Sequence, residues 1–388
     1  MHKNKKSDLI IPLIRIKYTN EEIKFIQNGV KDILESGYLT MGSKVKEFEQ
    51  EFSDFIDIKH AVAVNSGTSA LEIPLRALGV ANKTVIIPNI TFMATPLAAI
   101  HAGAKIVFVD VMPENLSIDP DDLRRKITSD TVGVIIVHIG GIISPYLLEI
   151  EKICQENGLF LIEDAAHAHG SSIKGKKAGT LGICGSFSFY PTKVLNTAEG
   201  GMITTDDKTI FEKSLIFREH GKKDHNFNTH TELGYNWRFS ELHALLGLQQ
   251  MKIVNDIISK RQQIARLYNE KLNQVNGITL VKIPDYIECS YYKYIIYLDK
   301  KYNRNEIKNR LKKEYNISLP GEVYAEDCHN QPVFKKYPEL VLNKADEYFP
   351  GAKFVSDRQI CLPLYPSLTD DELMYVVDSL KSVLERLN

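Results

Sequence analysis

Seven short apolar runs rich in β-branched residues, spaced along the first half of the chain, restrict the fold more than any other feature. They lie at residues 61–64, 84–88, 105–111, 132–138, 159–165, 186–190 and 201–206. Each has the length of a strand and is bounded by Gly, Pro, Asn or Asp. Their near-continuous apolar character fits strands covered on both faces, as in a largely parallel α/β sheet. The intervening segments 69–78, 94–102, 120–126 and 147–157 read as helices. After Asp206 the pattern changes: helical segments are expected at 211–219, 240–259 and 261–275, a strand at 292–298, and helices at 304–314 and 370–387. A chain of 388 residues is too long for one small core. The expected division is a large domain over 1–254, which includes the N-terminal segment, and a smaller α+β domain over 255–388.

Charge and cysteine usage narrow the function. Lys plus Arg number 48 and Asp plus Glu 49, a net charge of -1. This lacks the basic excess expected of a protein that binds nucleic acid or a membrane surface. The cysteines, at 154, 184, 289, 328 and 361, are scattered without a C-x-x-C pair, so neither a zinc site nor a disulfide framework is indicated. Reduced thiols suit the cytoplasm. A basic start is followed by an apolar stretch over residues 9–14, but Pro12 and Arg15 make it too short for a signal peptide. No segment is long and apolar enough to span a bilayer.

Functional groups in such a sheet gather at the carboxyl ends of strands. The first end reads VNSGTSAL. Asn65, Ser66, Gly67 and Thr68 are expected to form a turn into a helix near Ser69, where Gly67 permits close backbone approach and free N–H groups favour an anion. On this segment alone a plain helix cap is the better reading. The second end reads LFLIEDAAHAHG. Asp164 sits at the end of a very apolar strand and, if buried, needs a cationic partner. A protonated pyridine nitrogen would serve; a metal held by Asp164, His167 and His169 fits no common zinc spacing. The third, GSFSFYPTKVLNTAEGG, runs into a loop with Lys193, and a desolvated lysine can attack a carbonyl to form a Schiff base. The fourth, PNITFMAT, places Phe92 where it could stack on a flat ring. Each segment alone has a purely structural reading. Together they meet the needs of a pyridoxal 5'-phosphate site: an amine, an acid for the ring nitrogen, an anion cradle and an aromatic cover.

The stretches SGYLTMGSKVKEFEQEF, NSGTSAL, EDAAHAHG, SFSFYPTK, GYNWRFSELHALLG, HNQPVF and LPLYPSLTDDE, in this order and spacing, resemble the sugar aminotransferases of the DegT/DnrJ/EryC1/StrS family, within the aspartate aminotransferase superfamily. The resemblance covers nearly the whole chain. It implies fold type I: a large domain with a mostly parallel seven-stranded sheet flanked by helices, and a smaller α+β domain. It implies that Lys193 carries the cofactor and shuttles a proton, that Asp164 keeps the ring nitrogen protonated, that Phe92 stacks on the ring and that His167 lies near the ring hydroxyl. Gly67, Thr68, Ser69 and Ser188 are implied to hold the phosphate, completed from a neighbouring subunit by Asn236 and Arg238. A homodimer with shared sites follows from that, and His329 is implied to lie near the sugar. The segments VLNTAEGG and VHIGGIIS depart from the family's usual pattern and bear on which sugar is used.

The implied reaction is transfer of an amino group from an amino acid, with L-glutamate the expected donor, to a nucleotide-linked keto-sugar in two half-reactions. Two other readings were weighed. Related deoxysugar dehydratases replace the lysine by histidine, and Lys193 argues against that chemistry. A non-catalytic cofactor-binding regulator would carry a DNA-binding segment, for which neither terminus has the charge.

Overall fold

The computed structural model describes residues 9–223, 228–344 and 346–387. The seven apolar runs become β1 (His60–Val64), β2 (Thr84–Pro88), β3 (Lys105–Val109), β4 (Thr131–Val137), β5 (Phe160–Asp164), β6 (Cys184–Ser188) and β7 (Gly201–Thr205). They form one sheet in the order β1-β7-β6-β5-β4-β2-β3. Every pairing from β6 to β3 is parallel, while β7 runs antiparallel between β1 and β6. β7 thereby places the end of β1 beside the end of β6.

Helices cover both faces, as the runs require. The relevant ones are α1 (Asn20–Ser36), α2 (Ser43–Ile56), α3 (Gly67–Ala77), α4 (Ala94–His101), α5 (Lys208–Arg218), α6 (Glu241–Met251) and α7 (Val254–Leu272). Alternate residues of a strand face opposite sides. Ile86 therefore joins the layer with Phe48 and Phe52 of α2, while Val85 and Ile87 join Leu71 and Leu75 of α3 on the other. Phe52 meets Phe187 edge-on at 5.0 Å between ring centroids.

A second core lies C-terminal to the first, around the antiparallel sheet of β8 (Ile278–Leu280), β9 (Tyr294–Leu298) and β10 (Gln359–Leu362). Its helices are α8 (Arg304–Tyr315) and α9 (Asp370–Glu385). α7 joins the two cores: Val254 and Ile258 pack with the first, Ile264, Tyr268 and Leu272 with the second. The N-terminal segment also joins the second core. Ile11 is fully buried there, bridged to Ile317 and hydrogen-bonded to Asn316 and Ser318.

Three boundaries differ from the sequence reading. α3 begins at Gly67, two residues early, because Ser66 caps it: its hydroxyl accepts from the Ser69 amide, and Ser69 Oγ lies 3.2 Å from the Ser66 amide. β6 ends at Ser188, so Phe189 and Tyr190 already belong to the turn that carries Lys193. The expected helix 240–259 breaks at Lys252 and Ile253, where neither Gly nor Pro announces the stop.

The adjacent acids of β5 face opposite ways and serve different ends. Glu163, fully buried, accepts from the amides of Gly179, Leu181 and Gly182 and pairs with His138 Nε2 at 2.9 Å. It pins the loop leading into β6. Replacing Glu163 by alanine would orphan these donors, and we expect a loss of about 3–5 kcal/mol in a denaturant titration. An unchanged midpoint would contradict this account of the loop.

Candidate active site

The ends of β1, β2, β5 and β6 open into a cavity of about 450 Å³. Gly67, Thr68, Phe92, Asp164, His167, Ser188 and Lys193 all line it. These residues come from four separate sequence segments.

At one end lies the start of α3. Its first-turn amides, Gly67 and Thr68, have no carbonyl partner within the helix, and the helix dipole adds partial positive charge. Gly67 is required by contact: a Cβ there would lie 2.7 Å from Ser188 Cβ and 3.2 Å from its Cα. Glycine thus lets the start of α3 pack directly against β6, so that Gly67, Thr68 and Ser188 line one end of the cavity together, where the free amides suit an anion such as a phosphate. Ser69 was expected to touch that anion, but it does not line the cavity. Its amide and hydroxyl are spent in the cap with Ser66 and on Asn65 Oδ1 at 2.8 Å, which holds the Gly67–Thr68 turn in place.

At the other end Asp164 is 6% exposed. Its Oδ2 accepts from Thr95 Oγ1 at 2.7 Å and Oδ1 from the Ala166 amide at 3.2 Å. Burial pushes its pKa above the ordinary carboxylate range, opposed by these two bonds and, more weakly, by Lys193 and His138. A protonated ring nitrogen would supply the missing counter-charge. Thr95 is itself bonded to Thr91 Oγ1 at 2.7 Å.

Lys193 follows β6 in a turn closed by its amide on the Tyr190 carbonyl at 2.9 Å. Burial lowers its ammonium pKa to about 8; Asp164 opposes the shift and Lys293 adds to it. Its Nζ stands 4.7 Å from the centre of the Tyr292 ring. His167 stacks on that same ring at 4.1 Å. Burial, then Lys193, drives the His167 pKa well down, so the imidazole is neutral. The Gly140 amide donates to its Nδ1 at 3.3 Å, which leaves the proton on Nε2, 3.5 Å from the Tyr324 hydroxyl. His169 stands apart from the cavity, fully buried between Phe187 and Phe189. Phe92 is 61% exposed at the cavity wall, its ring 5.9 Å from that of Tyr324.

Asn236 and Arg238 were expected at a neighbouring subunit's phosphate rather than in their own cavity. Asn236 and Arg238 do not line the cavity of their own chain. The Asn236 carbonyl accepts from Asn65 Nδ2 at 3.4 Å, and Arg238 is taken by Glu219 at 2.6 Å. Lys193 is then the one cationic side chain among the described cavity residues. His329 also lies off the cavity. Its amide donates to Asn89 Oδ1 at 2.9 Å and its ring packs on Phe349, so it ties a C-terminal loop to the end of β2.

The sequence reading missed Thr95, Tyr190, Glu199, Tyr292 and Tyr324. Thr95 had a faint signal, since Thr91 and Thr95 stand one helical turn apart in an otherwise apolar stretch. Tyr292 and Tyr324 arrive from the second half of the chain without a local mark. The donors present fit pyridoxal 5'-phosphate: an anion hollow that tolerates no Cβ, a buried acid lacking a cation in contact, and a desolvated amine between them.

Known proteins agree with this reading of the fold. The model of the DegT/DnrJ/EryC1/StrS aminotransferase family matches residues 20–381. The spore coat polysaccharide biosynthesis protein SpsC of Bacillus subtilis is 36% identical over 370 residues, 92% of this chain and 93% of that one. GDP-perosamine synthase of Escherichia coli O157:H7 is 31% identical over 95% of this chain and 97% of its own. Among solved structures, NtdA of Bacillus subtilis with bound cofactor PMP superposes with a TM-score of 0.88 at 26% identity, covering 98% of this chain and 87% of that one. With a family match running from the first helix into the last and relatives above 30% identity along nearly its whole length, the chain belongs to the DegT/DnrJ/EryC1/StrS aminotransferase family.

Proposed function

We propose that the protein moves an amino group from an amino acid, with L-glutamate as donor, to a nucleotide-linked keto-sugar in polysaccharide biosynthesis, and that it works as a homodimer. The observation that carries the chemistry is a buried amine, Lys193, sharing one cavity with an anion hollow and a buried acid. Aminotransferases of this family depend on pyridoxal 5'-phosphate. When bound, that group supplies an electron sink for the pair released from a C–H bond. Lys193 Nζ would hold it, take the proton from the donor's Cα and later deliver one to the sugar carbon that receives the nitrogen. Asp164 would keep the ring nitrogen charged. His167, through the Nε2 proton, would donate to the ring hydroxyl. The amides of Gly67 and Thr68, with Ser188, would hold the phosphate. The sugar side of the reading rests on the relatives named above.

The dimer rests on two observations. A phosphate dianion in the hollow meets no cation from its own chain except Lys193. Leu34, Tyr38, Leu39, Leu233, Tyr235 and Leu242 are all exposed, apolar side chains that a second copy would cover. In this reading Asn236 and Arg238 reach the partner's phosphate. Mixing and reassembling inactive Lys193→Ala and Arg238→Ala chains tests it. Each heterodimer would hold one intact site, restoring about a quarter of the wild-type activity if chains pair at random. No recovery from subunits shown to exchange would overturn the shared site.

The reaction is tested by adding glutamate alone to the loaded enzyme. The visible band should bleach with release of 2-oxoglutarate, and a keto-sugar nucleotide should restore it. Failure with glutamate and a panel of other donors would sink the proposal.

Two variables probe the cofactor residues separately. Gly67→Ala should weaken pyridoxal phosphate binding about 10- to 100-fold by crowding Ser188. An unchanged affinity would remove the anion from that hollow. Covalent capture of the cofactor needs the free amine, and with a pKa of about 8 about a tenth of Lys193 is unprotonated at pH 7. The capture rate should therefore rise with pH, steeply below 8, and level off above it. A midpoint near that of an ordinary lysine would show that Lys193 is not desolvated.

A further inference from the structure

Behind the cavity wall stands a second amine that the chemistry above leaves unused. Lys293 follows Tyr292 directly, at the entry to β9, and is partly buried. Its Nζ stands 5.2 Å from the centre of the Tyr292 ring, the same ring that Lys193 Nζ approaches to 4.7 Å. Both distances run to one point, so the two nitrogens lie at most about 10 Å apart, a range over which charges with little water between them still interact. Lys293 does not line the cavity, so it acts on the site from outside.

The segment that carries it is fixed against the site at three points. The Ser290 amide donates to Ser171 Oγ at 3.0 Å, the Tyr292 hydroxyl lies 3.0 Å from Thr192 Oγ1, and the Lys293 amide donates to the Gly140 carbonyl at 3.4 Å. Gly140 turns its own amide to His167. A Cβ at Gly140, whose φ is +69°, would lie 2.9 Å from Ile295 Cδ1, so glycine is what lets the strand come this close.

No acid in contact neutralises Lys293. Its Nζ donates to the Gly321 carbonyl at 3.3 Å, and among the described residues it has no ion-pair partner. Glu322 faces it from the loop after α8 but is taken by Lys308 at 2.5 Å, with Arg304 at 4.0 Å. Cys361 of β10 faces it too, and burial pushes that thiol up to about 11, so it carries no charge. The phenols of Tyr291 and Tyr294 beside it are held neutral by burial. Arg261 of α7 and Lys308 of α8, the remaining groups around it, are cations. Burial lowers the Lys293 pKa, with Cys361 and Glu322 opposing. Lys293 in turn adds to the burial that lowers Lys193, and follows burial and Lys193 in lowering His167.

We propose that Lys293 is a positioning residue of the reaction: its positive charge, held against the Tyr292 ring by the second core, increases the share of Lys193 present as free amine at neutral pH and holds His167 neutral. This rests on the reading of Lys193 as the group that captures the cofactor. The large domain carries the reactive amine, and the smaller one carries the charge that frees it.

The pH profile of pyridoxal phosphate capture by the cofactor-free full chain tests this. The parent midpoint is expected at about 8. Lys293→Met removes the charge without opening the cavity. The midpoint should then rise by about one pH unit, the effect of a unit charge ~10 Å away at an effective dielectric constant of about 20. Capture at pH 7 slows about tenfold, while the rate on the high-pH plateau stays as in the parent. Lys293→Arg retains the charge and should return the midpoint to about 8. A merely structural lysine would lower the plateau or the melting temperature and leave the midpoint alone. That result overturns the proposal, as does a raised midpoint that arginine fails to restore. Lys293→Gln, uncharged but still a donor, is read in parallel and decides if the methionine variant fails to fold. Trace acetylation of the same chains, with mass analysis of the peptide containing residue 193, reads the midpoint without the cofactor. A shift there with no capture by the parent would retain the tuning of Lys193 and strike the cofactor reading instead.

Discussion

Lys193→Ala is expected to leave a folded protein whose turnover is about 10³-fold lower or worse, and which borohydride no longer labels. Two losses combine in this variant. The amine that would hold the cofactor is gone, and so is the group proposed to carry a proton between carbons. General acid–base catalysis alone contributes about 10²–10⁴-fold. Folding should survive, because the substitution removes a buried amine whose pKa is already depressed by desolvation. The measurement is steady-state turnover together with borohydride reduction and mass analysis of the peptide containing residue 193. Label retained on another lysine would move the covalent site elsewhere. Turnover within tenfold of the parent would remove Lys193 from proton transfer.

Asp164→Asn should cost about 10²–10³-fold in turnover while leaving the melting temperature unchanged or higher. The amide is isosteric and keeps an oxygen for Thr95 Oγ1 at 2.7 Å, while its NH2 gives up the longer bond accepted from the Ala166 amide at 3.2 Å. What disappears is the negative charge that would keep a ring nitrogen protonated, and losses of preorganised electrostatic stabilisation fall in this range. Stability should not drop, because a buried carboxylate without a contacting cation is costly to the fold. The pairing of the two readouts is what tests the idea. A large loss of stability would mean that Asp164 is chiefly a structural acid. A normal turnover with normal stability would mean that the ring nitrogen does not depend on it.

Much of the fold was legible because its signal is local. The seven runs mark strands covered on both faces, and Pro, Gly and Asn at their ends set the boundaries. The order of strands was not legible. Nothing near residues 201–205 says that β7 turns back between β1 and β6, since that pairing is decided by residues about 140 positions upstream. The same division holds in the site. Gly67, Asp164 and Lys193 could be read because strand ends are where ligands bind. Ser69 was misplaced, since the helix begins two residues early and uses Ser69 for its own cap. The bond of His329 to Asn89 was not legible, because it exists only after the C-terminal half folds onto β2. Tyr292 and Tyr324 come from the second half and line the cavity through tertiary contact alone. Strand alternation sends the deeply buried Glu163, next to Asp164 in sequence, to the opposite face.

The bridge between Ile11 and Ile317 carries a consequence for synthesis on the ribosome. The first described residues to emerge are among the last to dock, because their partners at 316–318 appear only when four-fifths of the chain has been made. The anion hollow waits as well, since Gly67 and Ser188 meet only once β7 has paired with both neighbours. A nascent chain shorter than about 205 residues therefore presents the lysine and the acid without the hollow between them. Termination before that point would leave fragments unable to hold the cofactor, and the cell's pyridoxal phosphate would be drawn only by chains past their midpoint.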